Sequence, residues 1–137
     1  MILTDSGFWV ALGDERDSYH LAANAAFWRW ADEGFATTWA VLAEVSYILS
    51  VRASLHQALN FVHMIGQGAA ELPELGRDSV LRIAELMHRY RNLPMDFADA
   101  SLVVLAEQLH EGRILSSDYR DFSVYRWEKN RPFVNLL

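Results

Sequence analysis

Five acidic residues, Asp5, Glu44, Asp96, Asp99 and Asp118, stand in surroundings that ask for chemistry. Asp5 and Asp118 each follow a short apolar run, in "ILTD" and "ILSSD". Acids so placed are either turn residues and helix caps or ligands presented at a strand end. On a helix, Glu44 has Ala40, Val41, Tyr47 and Ile48 as neighbours three and four positions away. Desolvating an acid on an apolar stripe costs on the order of several kcal/mol unless it is paired or bound to metal. Asp96 and Asp99 share a face at the start of a helix, where Asp96 also suits the N-cap. Asp99 precedes "ASLVVLA", a nearly all-apolar helix body that must be buried. Four acids from four separate elements, with no cysteine in the chain, favour a hard cation, Mg²⁺ or Mn²⁺. Such a site activates water and stabilises charge on a phosphoryl group.

The elements that must position these acids follow from the hydrophobic pattern. A strand is expected over 2–5, then a helical turn through Phe8, Val10 and Leu12, broken by "GDERD". A helix over 18–32 places Leu21, Ala25, Trp28 and Ala31 on one face and stops at Gly34. "FATT" reads as a strand, followed by a strong helix capped by Thr37 or Thr38. "LHQALNFVHMIG" is a further helix, and "AAELPEL" has room for a strand. "DSVLRIAELMHRYRNL" is amphipathic, with Val80, Ile83, Ala84 and Met87 on one stripe. Pro94 breaks the chain before a helix stopped by Gly112. "RILSSD" and "PFVNLL" are the last strand candidates. Short strands separated by helices predict right-handed crossovers around a parallel sheet, an α/β domain in three layers. No repeat or linker divides it, so 1–137 is expected to be a single domain.

Hydrophobic residues make up 52 % and charged residues 22 % of the 137 positions, which is globular rather than disordered. A net charge of −6 opposes non-specific phosphate binding, yet an acidic total is what a carboxylate cluster produces. Eleven of the twelve basic residues are Arg, the side chain suited to bidentate phosphate contact. The absence of Cys, of a membrane-length apolar run and of a leader pattern leads to the expectation of a cytoplasmic protein. The five histidines are scattered, and no glycine-rich phosphate loop or nucleophile elbow occurs. Trp28 and Trp30 point about 200° apart on an ideal helix, so "FWRW" offers an aromatic to a partner or to a larger core.

Four segments together resemble the PIN domain family. "ILTDSGFWVAL" is similar to its opening, a strand delivering an Asp followed by Ser. "TTWAVLAEVSYIL" resembles the second motif through Glu44, and "LPMDFADASLVVLAEQL" the third through Asp99, with Asp96 as accessory. "ILSSDYRDFSVYR" resembles the fourth, with Ser116 and Asp118 in place and Asp121 trailing. The compact length and motif styles are most similar to VapC toxins of toxin–antitoxin pairs. The resemblance implies a PIN-like fold with a short central parallel sheet flanked by helices, and a metal-dependent endoribonuclease. Asp5, Glu44, Asp99 and Asp118 would hold Mg²⁺ or Mn²⁺ with Asp96 assisting, while Ser6 and Ser116 orient them and Asp121 competes with Asp118 for contact. It further implies structured RNA (tRNA or rRNA) as substrate, 5′-phosphate and 3′-hydroxyl products, a cognate antitoxin and a homodimer. Arg120, Arg126, Lys129 and Arg131 are candidates for RNA backbone contacts or plain surface charge. A second reading remains open, a catalytically inactive PIN-like fold used for interaction or regulation. A phosphoacceptor receiver is disfavoured, because it needs a Lys at the acid pocket and the chain's single Lys is Lys129.

Overall fold

The computed structural model describes all of residues 1–137. In chain order the elements are β1 (Ile2–Thr4), α1 (Ser6–Gly13), α2 (His20–Trp30), a 3₁₀ turn over Ala31–Glu33, β2 (Phe35–Ala36) and α3 (Trp39–Arg52). They continue through α4 (Leu55–Gly66), α5 (Arg77–Arg89), α6 (Phe97–Leu109), β3 (Arg113–Leu115) and α7 (Tyr119–Val124). Three short strands, β4 (Arg126–Trp127), β5 (Arg131–Pro132) and β6 (Val134–Asn135), end the chain. The central sheet is parallel throughout, in the order β2-β1-β3-β6, and helices flank it. Ile2, Leu3 and Thr4 are fully buried, as expected of a central parallel strand covered on both faces.

One continuous apolar cluster runs from β1 through α1 and α6 to Phe133. Its polar insertions are all satisfied. The Trp9 indole donates to Thr4 Oγ1 at 2.8 Å, and that hydroxyl donates to the Ala36 carbonyl at 3.1 Å. Five helices carry a side-chain N-cap: Asp5, Thr38, Ser54, Asp96 and Asp118 each accept the backbone N–H three residues on. The cap of α3 is therefore Thr38. Thr37, the other candidate, donates its hydroxyl to the Thr4 carbonyl.

Several local expectations are corrected. On α2 the buried residues are Ala23 and Ala26, while Leu21 is 82 % and Trp28 70 % exposed. The expected face of Leu21, Ala25, Trp28 and Ala31 is turned to solvent, and the helix packs close through Ala23 and Ala26, with Phe27 and Trp30 at the margin. On α5 the inward residues are Ile83 and Leu86, and Val80 is exposed. "AAELPEL" forms only a single bridge, Ala36 to Glu71. His110, not Gly112, ends α6 in the left-handed conformation. Gly112 has another task, since a Cβ there would lie 2.5 Å from Trp127 Nε1. The six-residue α7 and the antiparallel β4–β5 hairpin were not foreseen. The hairpin turns through Glu128, Lys129 and Asn130, all at positive φ, without the glycine that marks most such turns.

Candidate active site

β1 and β3 lie side by side with Thr4 opposite Leu115, so the next residues of both strands emerge together at the carboxyl edge of the sheet. Asp5 extends the pairing, its N–H donating to the Leu115 carbonyl at 3.2 Å. Its carboxylate is then held from two sides. Oδ1 accepts the Phe8 N–H at 3.0 Å, and Oδ2 accepts the Ser116 hydroxyl. Ser116 Oγ in turn accepts the Asp118 N–H at 2.9 Å, which links the two acids through one hydroxyl. Ser116 is itself gripped by Asn135 on β6, whose Oδ1 accepts its N–H at 3.1 Å and whose Nδ2 donates to its carbonyl at 2.8 Å.

The other acids reach the same place from helices. Glu44 projects from α3 beside Ser6 and Ile48, and Asp96 and Asp99 stand at the N-terminus of α6. Asp99 Oδ2 accepts the Tyr125 hydroxyl at 3.1 Å. Asp5, Ser6, Glu44, Asp96, Asp99, Asp118 and Asp121 all line one cleft of about 380 Å³. Ser116 lies fully buried behind Asp5. A larger cavity of about 450 Å³ elsewhere is lined by Leu72, Leu75, Val80, Ile83 and Phe97, with Glu74 as its one acid.

Asp5, Asp96 and Asp118 each cap a helix and line the cleft at once. The expectation for Glu44 is changed in its reasoning. The core face of α3 is Val41, Val45 and Leu49; Tyr47 is exposed, and Glu44 is half-buried at the cleft wall rather than within an apolar stripe.

Burial dominates the electrostatics. Desolvation pushes the Asp5 carboxyl up to about 7, against the Ser116 and Phe8 hydrogen bonds, with Asp118 and Glu44 adding repulsion. Desolvation and then the Asp96 charge raise Asp99 to about 8, opposed by Tyr125. Glu44 is raised by desolvation and Asp96, with Ser6 pulling the other way. Asp118 is also raised, desolvation first. The buried Asp121 differs: its Oδ1 pairs with Arg120 Nε at 3.0 Å. It already has a cation, and Asp118 has none.

Clustered carboxylates that repel one another and sit above their ordinary range are a donor set suited to a divalent ion. As placed, no three of them stand close enough together to hold a metal ion.

Tyr125, Asn135, Ser117 and Gly7 were not singled out from the sequence. A Cβ on Gly7 would meet Ser117 Oγ at 2.0 Å, so glycine is what lets that hydroxyl close over the start of α1. The basic candidates lie outside the cleft lining. Arg120 is tied to Asp121, and Arg126 donates to the carbonyls of Ser123, Val124 and Tyr125. Lys129 is exposed on the hairpin, and Arg131 stacks 5.3 Å from the Trp127 ring.

A parallel sheet delivering acids to its carboxyl edge defines a class that the comparisons identify. The PIN domain family model matches residues 2–128, and the chain belongs to that family. It is 27 % identical over 125 residues to ribonuclease VapC26 of Mycobacterium tuberculosis, covering 91 % of this chain and 92 % of that one. Its fold is similar to that of Mycobacterium tuberculosis VapC20, a sarcin-ricin loop cleaving toxin, with a TM-score of 0.73 and 20 % identity over 83 % of this chain and 87 % of that one. VapBC2 of Rickettsia felis, solved with a promoter DNA fragment, has a TM-score of 0.67 and 14 % identity over 98 % of both chains. No helix is long and apolar enough to cross a membrane.

Proposed function

We propose that this PIN domain is a metal-dependent endoribonuclease, the toxin of a toxin–antitoxin pair acting on structured RNA such as tRNA or rRNA. The observation that carries the reading is the convergence of Asp5, Glu44, Asp99 and Asp118 from four elements onto one cleft with their protons held tightly. These four residues, with Asp96, would hold the ion. When bound, Mg²⁺ or Mn²⁺ would supply Lewis acidity toward the phosphodiester and lower the pKa of a coordinated water.

The remaining work belongs to the protein. Ser116, the Phe8 N–H and the Asn135 amide fix the Asp5 carboxylate in one orientation. Tyr125 holds Asp99 in the same way. Asp118 keeps one oxygen on the Asp121 N–H. Hydrolysis forms a bond from water oxygen to phosphorus and breaks the P–O3′ bond, leaving a 5′-phosphate and a 3′-hydroxyl.

The reading carries a cognate antitoxin and a second copy of the chain as partners and the cytoplasm as location. Exposed Trp28, Trp39, Tyr47 and Leu59 are large apolar side chains available to such partners. The test is incubation of purified protein with tRNA and rRNA in Mg²⁺, in Mn²⁺ and in EDTA. Cutting with metal, its loss in EDTA and its loss in Asp99→Asn are expected. Full cutting in EDTA, or none under any condition, overturns the reading. In the latter case metal binding without cutting leaves a PIN fold used for interaction.

A further inference from the structure

Seven carboxylates line the acidic cleft, and one cation shares the wall with them, Arg52 in the last turn of α3. Its exposed guanidinium enters none of the chain's ion pairs. What fixes the residue is its backbone carbonyl, which accepts from the Arg16 guanidinium. Nearby arginines are already engaged, Arg16 with Asp14 at 3.4 Å and Arg120 with Asp121 at 3.0 Å.

Arg52 also borders a second cavity of about 360 Å³. That cavity has one apolar lining residue, and its wall holds Arg16, Ser54 and Gln57 together with Glu15 and Asp14, the latter already paired with Arg16. The two cavities thus meet at Arg52.

A polyanion entering this cleft meets carboxylates at almost every wall, and charges within about 8 Å act on one another at physiological salt. A bound divalent ion answers the phosphate that reacts, but not the next one along the strand. An unpaired guanidinium on the rim is suited to that second phosphate, through two parallel N–H donors. We propose that Arg52 binds the RNA phosphate adjacent to the scissile one, and that the strand leaves the acidic cleft over Arg52 into the adjoining polar cavity. This rests on the ribonuclease reading above and makes Arg52 a substrate-binding residue of the same site.

The test uses the full chain with Mg²⁺ and a labelled RNA stem-loop that the wild-type protein cuts. KM, kcat and the salt dependence of binding are compared for Arg52→Gln, Arg52→Lys and, as a control, Arg77→Gln on the exposed start of α5. Arg52→Gln is expected to raise KM about tenfold with kcat within about twofold, and to lower the log–log salt slope by about 0.7. Arg52→Lys is expected to restore the slope and part of KM, and Arg77→Gln to change neither. An unchanged KM and slope in Arg52→Gln, beside a wild-type chain that cuts, overturns the proposal alone. An equal loss in Arg77→Gln also overturns it, because the effect is then general charge. A wild-type chain that neither binds nor cuts RNA removes the underlying reading and the proposal with it.

Discussion

Replacing Asp5 by Asn should make the metal-free protein more stable while abolishing its cutting of RNA. The carboxyl is 5 % exposed, and burial lifts it from its ordinary 3.8 to about 7. The folded state therefore holds the proton more tightly than the unfolded chain does. The resulting penalty is small below about pH 4, grows as only the unfolded chain ionises, and is complete above about 7. At about 1.4 kcal/mol per pH unit it reaches roughly 4 kcal/mol, an upper figure because the cleft can hydrate. The substitution keeps the shape: the amide oxygen still accepts from Phe8, and the amide nitrogen donates to the Ser116 hydroxyl. Urea unfolding in EDTA is the assay. Asp5→Asn should gain about 2–4 kcal/mol at pH 8 and less than about 2 kcal/mol at pH 5. Wild-type stability should fall between those pH values, the more so because Asp99 titrates near 8 in the same direction. A wild type that gains stability with rising pH, or an Asp5→Asn chain that is weaker at pH 8, would show that burial does not hold the Asp5 proton in this way.

Tyr125→Phe keeps the ring packed against Tyr90 and Phe122 but removes the hydroxyl from Asp99. It should weaken divalent-ion binding about tenfold by calorimetry at pH 7 and leave the fold intact. Gly7→Ala should stabilise the chain more in a Ser117→Ala background than in the wild type, where Ser117 Oγ must turn away from the new methyl group, a coupling readable in a double-mutant cycle. Trp28→Ser should change stability by less than about 0.5 kcal/mol, because the side chain is exposed.

What could be read from the residues was whatever has a short-range cause. "ILTD" and "ILSSD" announce a buried strand and an acid at its exit, and both acids occur there, each also capping the helix that follows. The nearly all-apolar run "ASLVVLA" implied a helix buried on most sides, and Ala100 to Ala106 of α6 are buried throughout. Helical spacing grouped Leu21, Ala25, Trp28 and Ala31, but several apolar faces are possible on so alanine-rich a helix and the neighbouring one is buried. Close packing there favours Ala23 and Ala26 and turns Leu21 and Trp28 to solvent. Glu44 was singled out by an apolar stripe that is only partly buried, and the structure puts it on the cleft wall for a different reason. The six-residue α7 is too short to show a period. Ser116 was named as a support of the acids through the family resemblance, whereas Tyr125, which meets Asp99 across 26 positions, and Asn135, which meets Ser116 across 19, were beyond reach.

If the cleft carboxylates together hold a divalent ion, binding must displace the protons they carry. Calorimetric titration of the purified chain with Mn²⁺ at pH 7, in buffers of differing ionisation enthalpy, reports affinity and released protons at once. Asp5 titrating at about 7 and Asp99 at about 8 predict that binding expels about one proton or more, and that Asp5→Asn and Asp99→Asn each lose both the affinity and the release. Absence of binding, or binding that survives both substitutions without proton release, would contradict it.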